Sequence, residues 1–143
     1  MKTRAAIAIC LAGAAIAGCS STEDYVDDVN AIQEEVVNAS KSVGSDVNAS
    51  KEELVKELDQ AKAEAEQAVT DLGNVDVPED AEAGHEELIK GFDELEKLYG
   101  KVKNGIESGS GGEAFEELRT KGDEIDKQID DALDQINKEL GLS

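Results

Sequence analysis

Three kinds of side chain in this chain could do chemistry: two thiols, one imidazole and a large excess of carboxylates. The imidazole, His85, sits in Glu82-Ala83-Gly84-His85, the Glu-x-x-His spacing that supplies half of a di-iron site in a helical bundle. Such a site needs the motif on two helices and a glutamate from each of two others. The chain has no second histidine. For the same reason His85-Glu86-Glu87 cannot be the two-histidine helix of a zinc protease. No metal ligand set and no cofactor is assigned, and His85 reads as an interface or surface residue near a helix start. The acids recur as adjacent pairs: Glu23-Asp24, Asp27-Asp28, Glu52-Glu53, Glu86-Glu87, Glu116-Glu117, Asp123-Glu124 and Asp130-Asp131. Neighbours on a helix point about 100° apart, so such pairs do not chelate by themselves. None has the alternating ligands and distant glutamate of a calcium loop. They read as a solvated face. With no Ser-His-Asp constellation and no phosphate loop, the chain is read as non-enzymatic, with no catalytic residue.

The thiols lead elsewhere. Lys2 and Arg4 precede an apolar run from Ala5 to Ala17 that contains Cys10. That run falls short of the roughly 20 apolar residues that span a bilayer core, and with its basic start it reads as a signal peptide over 1–18. It ends in Ile16-Ala17-Gly18-Cys19, which resembles the lipobox of bacterial lipoproteins. The resemblance implies that Ile16, Ala17 and Gly18 direct cleavage before Cys19, once a diacylglyceryl group is on the Cys19 sulfur. Each buried methylene contributes about 0.8 kcal/mol, so two or three chains hold firmly. The expected location is the extracytoplasmic face of a cell membrane or outer membrane; Ser20, which is not Asp, permits the latter in a Gram-negative cell. The competing reading is ordinary secretory cleavage that leaves Cys19 a free thiol open to oxidation or dimerisation.

Beyond the leader lie 125 residues, enough for one domain with a modest core. Losing Lys2 and Arg4 but no acid deepens the net charge from −20 to −22. That charge repels nucleic acid and anionic headgroups, so nucleic-acid binding is excluded and the membrane is touched through lipid alone. The organisation expected is a lipidated Cys19 and short tether over 19–24, then an acidic helical domain over 25–143.

Helical periodicity runs through that domain. The first stripe is Tyr25, Val29, Ile32, Val36, Ala39, Val43 and Val47, with Ser21 or Thr22 as a cap and Glu23 and Asp24 against the helix dipole. A second stripe, Leu54, Leu58, Ala61, Ala65, Ala68 and Leu72, comes after a capping box at Ser50 and Glu53. Either 22–72 is one long helix or it folds back near 44–49. A straight helix of about 50 residues would reach about 75 Å and strand its first apolar residues, so two helices are favoured. Gly73 is expected as the C′ residue and Pro78 in the first turn of the next helix. The third stripe is His85, Leu88, Phe92, Leu95, Tyr99, Val102 and Ile106. Gly84, Gly91 and Gly105 flank it, a spacing that fits close approach by a neighbour and equally mere tolerance of glycine. Residues 108–112 read as a flexible connector. The fourth stripe is Phe115, Leu118, Ile125, Ile129, Leu133, Ile136 and Leu140, with a kink conceivable at Gly122 and an end at Gly141.

Four short motifs, Tyr25-Val26-Asp27-Asp28-Val29-Asn30, Val75-Asp76-Val77-Pro78, His85 and Ile136-Asn137-Lys138-Glu139-Leu140, resemble those of small helical lipoproteins of actinobacterial type. The resemblance implies an all-helical mature part and supplies no activity. The fold expected is therefore all-α, an up-down antiparallel bundle of four helices, or of three with a long first helix. The function expected is a lipid-anchored envelope module that binds or spaces another protein. The alternative is a binding domain for divalent cations or a cationic solute.

Overall fold

The computed structural model describes residues 20–142 apart from position 47, and for 20 and 21 the backbone only. Four helices succeed one another along the chain: α1 (Ser20–Ser42), α2 (Lys51–Leu72), α3 (Glu82–Glu107) and α4 (Gly111–Glu139), with a short 3-10 turn at Glu79–Ala81 leading into α3. No strand occurs among the described residues. The break between α1 and α2 settles the helix count. Its causes are local: Gly44 has φ +65°, and Ser50 with Glu53 forms the full capping box that restarts the chain. Val47, expected to carry the first stripe across this break, lies outside the described residues.

Helix boundaries differ from the sequence-based expectation in four places. Residues 20–24, expected as part of a tether, already belong to α1, so Ser21 and Thr22 lie in its first turn rather than at its cap. The burial of Tyr25, Val26 and Val29 a turn later gives that start something to hold. Gly73 ends α2 in an ordinary right-handed conformation, φ −64°, so its left-handed freedom is not used. Pro78 precedes the 3-10 turn, and α3 proper begins at Glu82. Gly111 and Gly112 are the first turn of α4 rather than connector, and α4 continues unbroken through Gly122. Besides the Gly44 turn, two helix ends require a left-handed residue. Gly109 (φ +91°) and Gly141 (φ +70°) close Schellman motifs, in which Ser110 N–H donates to Gly105 O and Leu142 N–H to Asn137 O.

The four apolar stripes meet in one core. Tyr25, Phe92, Leu58, Leu72, Leu88, Leu133 and Ile136 are its largest fully buried side chains. Phe115, expected in the fourth stripe, is 37% exposed instead. It lies in the second turn of α4, beside the α1–α2 connection, where the bundle end offers it only partial cover.

Close packing runs through α2, α3 and α4, and the small residues explain it. A Cβ built on Gly84 would sit 2.8 Å from Ile136 Cγ1, one on Gly91 2.7 Å from Ile129 Cγ1, and one on Gly105 2.7 Å from Ala114 Cβ. The three flanking glycines thus mark the line along which α4 approaches α3. On the other side of α3, Ala61, Ala65 and Ala68 of α2 are buried at 2% exposure or less. Cross-helix ion pairs edge these seams: Lys62–Glu96 at 2.9 Å and Lys103–Asp59 at 2.6 Å between α2 and α3, Lys101–Glu117 at 2.6 Å between α3 and α4. They are solvent-screened, so each contributes little. Helix α1 stands further off. Its Cα atoms come within 8 Å of those of α2 but of neither α3 nor α4, and large side chains such as Tyr25 span the gap.

Candidate functional site

The helices alternate in direction, so the starts of α1 and α3 and the ends of α2 and α4 share one end of the bundle. There the chain places its only imidazole. His85, 4% exposed, has both ring nitrogens engaged: Nε2 lies 3.0 Å from the carbonyl oxygen of Leu72 at the end of α2, and Nδ1 lies 3.0 Å from the hydroxyl of Tyr25 on α1. A carbonyl only accepts, so Nε2 carries the hydrogen and donates. Nδ1 is left with a lone pair, and Tyr25 donates to it. The two rings are tilted at 51° with centroids 5.6 Å apart. One residue earlier, Gly84 N–H points at Glu139 Oε2 of α4, 3.4 Å away. All four helices therefore meet within two residues of α3.

Burial sets the protonation states. It pushes the Tyr25 phenol up to about 12, helped by the nearby charge of Glu139. It also pushes the His85 imidazole below its usual value, against the opposing pull of the Leu72 carbonyl and Glu86. A neutral imidazole and a neutral phenol are what this hydrogen-bond pattern requires.

Beside Tyr25 an open groove of about 700 Å³ runs between α1 and the end of α2. Asp24, Asp28, Glu35, Asp71 and Asp76 edge it, and Tyr25, Ile32 and Val75 form its apolar part. Among the described residues, no group of three or more His, Cys, Asp or Glu is placed to hold a metal ion. Glu82, at the Glu-x-x-His spacing from His85, is exposed while His85 faces the core. The acid pairs lie on the surface as the solvated-face reading expects; Glu117 and Asp130 are the half-buried members. Asp130 is raised above the ordinary carboxylate range, first by burial and then by Asp126, Asp134 and Asp131. Micromolar Ca²⁺, Mg²⁺ or Zn²⁺ should therefore raise the thermal midpoint no more than NaCl of matched ionic strength, through screening alone. Saturable stabilisation by one of them would reveal a specific site.

Cys19 and the cleavage residues Ile16, Ala17 and Gly18 lie outside the described residues; the first described helix begins at the next position, Ser20. No helix of the described residues is long and apolar enough to cross a membrane. Sequence reasoning placed His85 and Tyr25 on separate stripes and did not join them. The signal was present: each opens its stripe, and in an up-down bundle the first and third helices start at the same end. In comparisons with known proteins, no family model, curated protein or solved structure matches the chain.

Proposed function

We propose that the chain is a lipid-anchored extracytoplasmic module, non-enzymatic, that binds or spaces another protein of the cell envelope. The observation that carries the reading is continuity. The lipobox-like Ile16-Ala17-Gly18-Cys19 runs directly into α1, whose apolar face is buried in the bundle. A lipid on Cys19 would then be joined to a folded body with almost no slack. Helices of 22 to 29 residues give that body a long axis of about 33–44 Å at 1.5 Å per residue. A net charge near −22 discourages it from lying on anionic headgroups. The proposal is a rod of modest length standing off a membrane, with its partner at the solvent-facing surfaces.

The test is Cys19→Ala. Wild-type protein should sediment with membranes and resist extraction by high salt and carbonate, and the variant should move to the soluble fraction. Intact mass should show chain from Cys19 onward plus acyl groups for the wild type only. Unchanged membrane retention of the variant would overturn the anchor.

A further inference from the structure

His85 is the sole histidine of the chain and lies where three helices meet. Its Nε2–H is committed to the Leu72 carbonyl, which also accepts from Val75 N–H at 3.3 Å. A second proton can enter the ring only at Nδ1, and there it faces the hydrogen of the Tyr25 hydroxyl. Two donors cannot share that contact. Either the hydroxyl turns its hydrogen to another acceptor and its oxygen accepts from Nδ1–H instead, or Tyr25 withdraws. Tyr25 belongs to α1, the helix whose backbone keeps its distance from α3 and α4. At the other half of α1 a separate tie, Tyr99 O–H donating to Ser40 Oγ at 2.7 Å, involves no imidazole or carboxylate.

We infer that Tyr25, His85 and the Leu72 carbonyl form an acid-sensitive latch, in which protonation of His85 breaks the Tyr25–His85 bond and loosens the N-terminal half of α1 from the α2–α3–α4 core. The charged groups around the ring are carboxylates: Glu86 on α3, Glu139 on α4 next to Tyr25, and Asp24, Asp28 and Asp71 along the groove that Tyr25 borders. Burial disfavours the charged imidazole, and it outweighs the opposing pull of the Leu72 carbonyl and Glu86. The folded state thus holds the His85 proton less well than the unfolded chain. The latch is at full strength above the ordinary histidine value of about 6.5, weakens as the pH falls below it, and is lost as the pH passes the lowered value of the folded state. Burial, with Asp126, Asp134 and Asp131, also raises Asp130 on α4, so that carboxyl needs a control. Because α1 begins right after Cys19, opening would lengthen the link between lipid and core. That consequence rests on the anchor reading; the latch does not.

Hydrogen exchange on the purified full-chain protein at pH 7.5 and 5.5, corrected for intrinsic rates, tests it. Protection of amides over 22–36 should fall about fivefold or more on acidification, while that of 88–102 stays within about twofold. His85→Gln, whose amide can both accept from Tyr25 and donate to Leu72, should keep α1 protected at both values. Asp130→Asn should respond to acid as the wild type does. Tyr25→Phe should leave α1 loose already at pH 7.5. Parallel changes in α1 and α3, or an acid response retained by His85→Gln, would overturn the latch. Should His85→Gln fail to fold, Tyr25→Phe decides, because wild-type protection of its α1 at pH 7.5 also overturns it. Cys19→Ala should show the same acid response, so loss of the anchor and loss of the latch are separate results.

Discussion

Replacing His85 with alanine should destabilise the protein by about 3 kcal/mol, the largest effect expected of any single polar substitution here. Two costs add. The Tyr25 hydroxyl, on a side chain only 1% exposed, loses its acceptor, and an unsatisfied buried donor costs about 1–3 kcal/mol. Removing the ring also leaves a cavity between α1, α2 and α3, whose lining relaxes only in part. The Leu72 carbonyl suffers less because Val75 N–H still reaches it. His85→Gln should recover much of the loss, since its amide offers one acceptor and one donor. Urea unfolding at pH 7.5 measures both. Equal destabilisation by the two variants would mean that ring packing, not the hydrogen-bond pair, holds this end of the bundle.

Gly84→Ala should cost about 2 kcal/mol, although alanine is the better helix former by about 1 kcal/mol. The reason is what its methyl would meet. Ile136 Cγ1 at 2.8 Å could rotate away, but the Ile136 nitrogen at 3.1 Å and the Ala132 oxygen at 3.2 Å are backbone and can yield only if α4 moves. Overpacking of this kind costs about 1–3 kcal/mol. Such a shift would also disturb the Glu139 contact with Gly84 N–H. Gly91→Ala should be milder, because within 3.6 Å it meets only side-chain atoms of Ile129 and no backbone. Gly122→Ala should stabilise by up to about 1 kcal/mol, since no atom lies within 4 Å of its added methyl. The order of the three midpoints in urea is the check. A Gly84→Ala protein as stable as Gly122→Ala would contradict the close approach of α3 and α4.

The class of fold was legible in the chain itself, because helical periodicity and capping are local. The stripes that begin at Tyr25, Leu54 and His85, together with the Ser50–Glu53 capping box, are written within a few turns of chain. Their burial comes from the hydrophobic effect whatever the partner. The spacing of Gly84, Gly91 and Gly105 was compatible with a close neighbour or with mere tolerance, since an absent side chain fits any approaching helix and none. Tertiary structure chose α4. It also decided that α1 stands apart from α3 and α4, that Phe115 stays partly uncovered, and that the tether gives way to helix from Ser20. Each of these depends on how far apart two helix axes settle, a property of the whole set of facing side chains. His85 shows the division most clearly. Its position at a helix start was legible from sequence, but its tautomer and its link to Tyr25 were not. Those required the Leu72 carbonyl, 13 residues away, and the Tyr25 hydroxyl, 60 residues away, to arrive within 3.0 Å of one ring.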